Sequence, residues 1–217
     1  MRINPSILSA DFSKLADELQ EIASADAAHI DVMDNHFVPN LTIGLPVVKR
    51  LQEVSPIPLD VHLMIDRADT EALKYAELGV DSITFHIEAS SDPKSLIAKL
   101  REKGVKVAVA IKPRTPVESV FEFLGELDMV LIMTVEPGFG GQSLIEETLD
   151  KIPVLRSAID ASGRKIVLQV DGGVTLSNIG LVSRLGADCA VAGSAVYGSG
   201  NPADNISKLK LAAANGR

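Results

Sequence analysis

Two periods of apolar residues alternate along the whole chain. Short apolar stretches rich in β-branched residues begin near Ile3, Ala28, Pro58, Ser82, Val105, Met129, Ile166 and Asp188. Between them, apolar residues recur three and four positions apart, as at Leu15, Leu19 and Ile22, which is the spacing of one helix face. The pattern therefore predicts eight strands, each followed by a helix.

The predicted helices have signals at their ends as well as a period. They span residues 12–23, 46–54, 70–78, 93–103, 117–124, 144–159, 176–185 and 202–214. Glycines stand where four of them should end, at positions 79, 104, 163 and 186. Strict alternation of strand and helix is typical of a parallel sheet, and eight units predict a closed (β/α)₈ barrel in one domain over residues 1–217. An open, doubly wound sheet is the alternative architecture.

Composition and charge narrow the class of protein. The 217 residues are 46% hydrophobic with a formal net charge of -8, which fits one globular domain and argues against a basic surface for nucleic acid or anionic lipid. The single cysteine, Cys189, rules out a disulfide framework. The sequence has no signal-peptide pattern and no apolar run of membrane length, so we expect a soluble cytoplasmic protein without a membrane partner.

Polar residues stand at the predicted ends of four strands: His29, Asp31, His62, His86 and Asp171. The active site of such a barrel forms at this end of the strands. Residues two apart share one face of a strand, so His29 and Asp31 face the same side, as do Asp60 and His62. Two imidazoles and two carboxylates predict a site for a divalent transition metal. The alternative is that each histidine is a hydrogen-bonded core residue, and His86 has no assigned role.

Glycines and methionines form two further groups near the same end of the predicted barrel. Gly138, Phe139, Gly140 and Gly141 follow the sixth strand, Gly172 and Gly173 the seventh, and Gly193 with Ser194 the eighth. Loops after strands seven and eight bind phosphate in many such barrels through backbone N–H groups, so we expect a phosphorylated ligand. Met33, Met64 and Met133 near three strand ends either fill the core or form an apolar collar around a reacting centre.

Seven motifs in order along nearly the whole chain give a resemblance to a known family. They are NPSILSADF (4–12), HIDVMDNHFVPN (29–40), LDVHLMI (59–65), TFHIEA (84–89), MTVEPGFGGQ (133–142), VDGGV (170–174) and VAGSAVYG (191–198). The chain resembles the ribulose-phosphate 3-epimerase family. The resemblance implies an isomerase of the pentose phosphate pathway that interconverts D-ribulose 5-phosphate and D-xylulose 5-phosphate. It also implies one divalent ion per subunit, zinc, iron, manganese or cobalt, and a homo-oligomer.

The resemblance also implies a role for individual residues. The metal ligands would be His29, Asp31, His62 and Asp171, with Asp31 and Asp171 doubling as acid and base on the two faces of an enediolate. Substrate contacts would come from Ser6, His62, Gly138, Phe139, Gly140, Gly141, Asp171, Gly172, Gly173, Gly193 and Ser194, with the loop 138–141 as a mobile cover. Met33, Met64 and Met133 would support the site. The family usually has glycine where this chain has Asn35, a residue type that tolerates positive φ.

Three other functions stay open at this point. One is a 3-epimerase of a six-carbon ketose phosphate such as allulose 6-phosphate, and another is a non-catalytic barrel that binds a phosphosugar. A third is a barrel lyase or decarboxylase, which commonly uses a strand-end lysine; here only Lys112 stands at such a place.

Overall fold

Parallel strands alternate with helices along the part of the chain that the structure, a computed structural model, describes: residues 1–216. The strands are β1 (Arg2–Pro5), β2 (Ala28–Met33), β3 (Leu59–Met64), β4 (Ser82–His86), β5 (Lys106–Ile111), β6 (Met129–Met133), β7 (Val167–Asp171) and β8 (Cys189–Ala192). The α-helices are α1 (Leu15–Glu21), α2 (Leu45–Val54), α3 (Ala68–Ala76), α4 (Pro93–Glu102), α5 (Lys151–Ala161), α6 (Ile179–Leu185), α7 (Ser194–Tyr197) and α8 (Pro202–Asn215). Shorter 3₁₀-helices span Ile7–Ser9, Phe12–Lys14, Ile87–Ala89, Val117–Glu126 and Glu146–Asp150.

The eight strands form one parallel sheet that curves into a nearly closed barrel. Around the sheet the order is β1, β8, β7, β6, β5, β4, β3, β2, and a parallel bridge between Ser6 and His29 links β1 back to β2. The prediction of a single-domain (β/α)₈ barrel is therefore confirmed, and the open-sheet alternative is wrong. Within residues 1–216, none of the helices combines the length and apolar character needed to cross a bilayer.

The two faces of the strands carry different residues. Ile30, which lies between His29 and Asp31 in β2, is fully buried in the apolar layer where strands meet helices. Inside the barrel, by contrast, Asn4 and Asp60 are buried polar residues joined by a hydrogen bond of 3.0 Å. The interior of this barrel is thus partly polar, and that polar interior lies directly under the site described below.

The prediction of an α-helix after the fifth strand is wrong. Residues 117–124 were expected to be α-helical, but Val117–Glu126 is a 3₁₀-helix. Three of its four buried residues, Val117, Val120 and Phe123, recur every three positions, which matches three residues per turn. Its β-branched and aromatic residues also favour the α-helix weakly. The predicted helices 12–23 and 144–159 likewise include 3₁₀ turns, over Phe12–Lys14 and Glu146–Asp150.

Candidate metal centre and active site

A pocket opens at the carboxyl ends of the strands. Its lining brings together the predicted substrate-side residues Ser6, Met33, Met64, Met133, Gly138, Phe139, Gly140, Gly141, Asp171, Gly172, Gly173, Gly193 and Ser194, together with Asp31. Among residues 1–216, the charged side chains in this lining are Asp31 and Asp171, and neither lysine nor arginine joins them. His29 and His62 lie beneath the pocket floor and are fully buried. His62, which was also predicted to contact substrate, is therefore not part of the pocket lining.

The side chains of His29, Asp31, His62 and Asp171 form one cluster at the floor of the pocket. His29 Nε2 lies 3.2 Å from His62 Nδ1, 3.5 Å from Asp31 Oδ1 and 3.7 Å from Asp171 Oδ2. His62 Nδ1 lies 3.4 Å from Asp31 Oδ1 and 3.4 Å from Asp171 Oδ2. The register of the sheet explains the arrangement, since Asp31 of β2 stands beside His62 of β3.

These four side chains fit a divalent metal ion. A tetrahedral ion with bonds of about 2.0–2.1 Å to nitrogen and oxygen separates its ligand atoms by about 3.3–3.4 Å. The five separations given above lie between 3.2 and 3.7 Å, and all four ligand atoms lie within 4.8 Å of one another. Two imidazoles and two carboxylates suit zinc, iron, manganese or cobalt.

The histidines and carboxylates of the cluster change one another's pKa. Burial by itself lowers the pKa of His29, but the charges of Asp31 and Asp60 raise it well above the usual range. Burial raises the pKa of Asp31, but the charge of His29 and hydrogen bonds to both histidines bring it below its usual range. The pKa of Asp171 is lowered by the same two histidines against the effect of burial. The pocket therefore favours ionised carboxylates and positive charge beside them.

Ser6 fixes the orientation of Asp31. Its hydroxyl donates to Asp31 Oδ2 at 2.5 Å, which leaves Oδ1 facing the two histidines. The bridge between Ser6 and His29 holds the serine at the seam of the barrel. Ser6 thus lies in the pocket, as expected of a substrate contact, and it also contacts a member of the metal cluster.

The glycine loops have backbones that only glycine adopts readily. Gly172 and Gly173 have φ values of 120° and 66°, and a Cβ on Gly173 would lie 2.3 Å from the backbone nitrogen of Leu144. The loop after β6 is tied to the loop after β2, because Asn40 Nδ2 donates to the Gly138 carbonyl at 2.7 Å. Phe139 on that loop is 55% exposed.

Four further residues that the sequence singled out lie in or beside the pocket loops: three methionines and Asn35. Met33, Met64 and Met133 are each 2% exposed and line the pocket. In the loop after β2, Asn35 has a φ of 60°, which confirms that it takes the left-handed conformation that glycine usually provides.

Asp60 and His86 differ from the expectation. The sequence pattern placed Asp60 among the candidate metal ligands, but Asp60 lies deeper in the barrel than the four clustered side chains. Its Oδ2 is instead hydrogen-bonded to His29 Nδ1 at 2.9 Å. His86, which had no assigned role, is fully buried, and its Nε2 lies 3.0 Å from His62 Nε2. Burial lowers the pKa of His86 to about 4, although the hydrogen bond that His86 donates to Glu88 raises it, so this imidazole is neutral at neutral pH.

A comparison with family models decides the classification. The model described as "Ribulose-phosphate 3 epimerase family" matches residues 2–197. The chain belongs to this family. The resemblance seen in the motifs is confirmed, and the chain is an epimerase, within the isomerase class of enzymes.

Curated relatives support the same classification over nearly the full chain. The ribulose-phosphate 3-epimerase of Mycobacterium leprae is 48% identical over 208 residues, which cover 96% of this chain and 93% of the relative. The ribulose-phosphate 3-epimerase of Bacillus subtilis is 43% identical over 213 residues, with 97% and 98% covered. That of Escherichia coli K12 is 46% identical over 198 residues, with 90% and 88% covered.

Solved structures with lower identity share the fold. A 3-hexulose-6-phosphate synthase from Salmonella typhimurium matches with a TM-score of 0.74 at 19% identity, over 100% of both chains. A phosphoribosyl anthranilate isomerase from Thermococcus kodakaraensis matches with a TM-score of 0.69 at 20% identity, over 99% of both chains. At these identities the likeness concerns the barrel alone.

Proposed function

We propose that the chain interconverts D-ribulose 5-phosphate and D-xylulose 5-phosphate by inverting the configuration at carbon 3. The observation that carries this proposal is the pair of pocket carboxylates, Asp31 and Asp171, which meet at the same two histidines. The curated relatives named above support a five-carbon substrate over a six-carbon one. The presence of both carboxylates supports an enzyme over a non-catalytic binding protein.

His29, Asp31, His62 and Asp171 would hold one divalent metal ion. When bound, the ion supplies positive charge that stabilises the negative charge developing on the substrate oxygens. The two imidazoles are deeply buried while the two carboxylates reach the pocket surface. This division leaves the carboxylates as the members of the cluster that can reach the substrate.

Asp31 and Asp171 would transfer the protons. Epimerisation at carbon 3 removes a proton from one face of the carbon next to the carbonyl and returns a proton to the other, which requires two groups on different sides. Asp31 comes from β2 and Asp171 from β7, with β1 and β8 between them in the barrel. One carboxylate takes the proton from carbon 3, giving the planar enediolate, and the other donates a proton to the opposite face. The donor must carry that proton when the reaction starts, although the two histidines lower the pKa of both aspartates. The Ser6 hydroxyl holds Asp31 in place during the transfer.

Other pocket residues would protect the planar enediolate and hold the phosphate. Met33, Met64 and Met133 give the pocket an apolar wall beside the carboxylates, and exclusion of water strengthens electrostatic interactions there. The loop 138–141 would cover the substrate. Because the lining includes no basic side chain, backbone N–H groups of Gly172, Gly173, Gly193 and Ser194 would bind the phosphate.

The test combines an epimerase assay with isotope exchange. The purified protein should convert D-ribulose 5-phosphate to D-xylulose 5-phosphate and introduce solvent deuterium at carbon 3. Asp171→Asn should reduce the rate by roughly 10²–10⁴-fold, whereas Asp160→Asn on the exposed surface of α5 should not. Full removal of divalent metal should abolish turnover, and re-addition should restore it.

Different results would contradict different parts of the proposal. Turnover by Asp171→Asn at the wild-type rate would refute the two-carboxylate scheme, and product without deuterium would refute proton abstraction. Activity unaffected by exhaustive chelation would refute the metal role. Faster turnover of allulose 6-phosphate than of D-ribulose 5-phosphate would assign the six-carbon substrate instead.

We also propose a cytoplasmic homo-oligomer that acts without a nucleic-acid partner. The assembly and the location are what the family resemblance implies, and the net charge of -8 argues against a nucleic-acid partner. Sedimentation of the purified protein measures its assembly, and a monomer at micromolar concentration would refute the homo-oligomer.

A further inference from the structure

A chain of hydrogen-bonded side chains, formed by His62, His86 and Glu88, extends from the metal cluster away from the pocket. The Nδ1 atom of His62 faces Asp31 and Asp171, and its Nε2 atom faces the other way, 3.0 Å from His86 Nε2. His86 Nδ1 in turn lies 3.2 Å from Glu88 Oε2. His62 and His86 are fully buried, so water does not compete for these contacts, and neither His86 nor Glu88 lines the pocket.

The positions of the protons in this chain follow from its geometry. A ring nitrogen that ligates a metal carries no hydrogen, so a ligating His62 Nδ1 requires the proton on Nε2. Two ring nitrogens 3.0 Å apart share one proton, so His86 Nε2 must accept. A neutral His86 then carries its own proton on Nδ1 and donates it to Glu88.

Glu88 fixes the direction of the chain because it can only accept. Its Oε1 accepts from the backbone N–H of Lys112 at 2.8 Å and from the hydroxyl of Thr115. Its Oε2 is the oxygen that faces His86. Hydrogen bonds to His86, Thr115 and the Lys112 backbone lower the pKa of Glu88 to about 2, although burial raises it. With both oxygens occupied by donors, Glu88 has no proton to give to His86.

We propose that Glu88, acting through His86, sets the tautomer and the orientation of His62 for metal binding. His86 and Glu88 are positioning residues: they touch neither the pocket nor the metal cluster except through His62. The proposal rests on the assignment of His62 as a metal ligand. It gives His86, a buried polar residue without a direct role in the proton transfer, a specific task.

The other histidine of the cluster, His29, has a similar arrangement, but its carboxylate partner contacts the imidazole directly. His29 presents Nε2 to the carboxylates and Nδ1 to Asp60 Oδ2 at 2.9 Å. A carboxylate thus stands behind each imidazole, directly for His29 and through His86 for His62. Metal-ligating histidines usually donate their second ring N–H to such a group, and removal of that group typically weakens metal binding by about 10–100-fold.

Glu88→Gln is the sharpest perturbation because it keeps the shape of the side chain and removes one acceptor. If the amide NH₂ faces His86, it drives that ring, and then His62, to the tautomer that blocks ligation by Nδ1. If the NH₂ group of the glutamine instead takes the place of Oε1, it faces the backbone N–H of Lys112, so that two donors oppose each other. We expect the affinity for Zn²⁺ to fall about 10–100-fold, measured without substrate by competition with a chromophoric chelator. Thr115→Val is the matched control, since it removes a donor to Oε1 and leaves the Oε2 contact with His86.

A double-mutant cycle separates a relay from a general effect of charge. His86→Leu should also weaken Zn²⁺ binding, and adding Glu88→Gln to it should weaken binding no further, because the path from Glu88 to His62 is already broken. Equal effects of Glu88→Gln in both backgrounds would overturn the proposal. Thermal unfolding in excess chelator checks that each variant is folded.

Nitrogen-15 NMR of the Zn²⁺-loaded wild-type protein reads the tautomers without any substitution. We expect a proton on His86 Nδ1 and none on His86 Nε2; the opposite tautomer would overturn the proposal. Wild-type Zn²⁺ affinity in Glu88→Gln would overturn it too, while leaving the epimerase proposal intact. Failure of the wild-type protein to bind Zn²⁺, cobalt, manganese or iron would instead overturn the metal-ligand assignment on which both depend.

Discussion

Asp60 is the residue on which the polar interior of the barrel depends, so its removal should destabilise the fold strongly. The side chain is 2% exposed. Its Oδ2 accepts from Asn4 Nδ2 at 3.0 Å, from Gln169 Nε2 at 2.9 Å and from His29 Nδ1 at 2.9 Å. Its Oδ1 accepts from the Ser82 hydroxyl at 2.8 Å. Asp60→Ala therefore leaves four donors inside the barrel without their acceptor.

The expected magnitude follows from those four bonds. A buried donor left unpaired costs about 1–3 kcal/mol, but the Ser82 hydroxyl can rotate. A cavity lined by Asn4, Asp60 and Ser82 at the opposite end of the barrel can also admit water to the site. We therefore expect Asp60→Ala to lower the free energy of unfolding by about 3–5 kcal/mol, the range for breaking a buried ion pair. Asp60→Asn keeps an acceptor for three of the donors and should lose about 1–2 kcal/mol.

The assay is urea unfolding of the protein in excess chelator, so that metal binding does not contribute to stability. With a slope of about 2–3 kcal/mol per molar urea, the midpoint for Asp60→Ala should fall by about 1–2.5 M. Ser82→Ala is the control, since it removes one donor and leaves the carboxylate paired, and should cost about 0.5–1.5 kcal/mol. A midpoint for Asp60→Ala equal to that of Asp60→Asn would refute the reasoning.

Two further predictions concern other parts of the barrel. Gly173→Ala should lower the free energy of unfolding by about 2–4 kcal/mol, because the φ of Gly173 is 66° and an added Cβ would meet the backbone of Leu144. Gly79→Ala is the control, since Gly79 has a φ of 75° and open space around it, and it should lose about 1–2 kcal/mol. Equal losses for the two variants in thermal unfolding would contradict the steric argument. The Cys189 thiol is 1% exposed, and burial raises its pKa to about 12, so it should not react with a thiol reagent at pH 8 until urea unfolds the chain. Rapid labelling of the folded protein would show that the strand opens.

Much of the barrel could be predicted because its signals are local. β-branched stretches mark the strands, and glycines mark the ends of several helices; the first residues of β2, β4 and β6 lie where they were predicted. The alternation of polar residues in β2 also placed His29 and Asp31 on one face. Each of these inferences needs only residues that are close together in the sequence.

The role of Asp60 could not be read from a single strand. Asp60 and Asp31 each stand two residues from a histidine on the inner face. The alternation of residues along a strand therefore does not distinguish a metal ligand from a deeper hydrogen-bond partner. The register between β2 and β3 distinguishes them, because it sets Asp31 beside His62 and Asp60 beside His29. That register depends on pairing across the barrel, which a pattern along one strand does not contain.

Buried polar residues that contradict the usual preference for apolar cores lie together in this molecule. Asn4, Asp60 and Gln169 connect to His29, and His86 connects to His62. Such residues cost free energy unless they are fully paired, so their concentration beneath the two imidazoles is evidence that they support the site as well as the barrel. Departures from the usual sequence preferences are expected at functional sites. In this barrel the buried polar residues that depart from the preference for an apolar core are hydrogen-bonded, directly or through one another, to the proposed metal ligands.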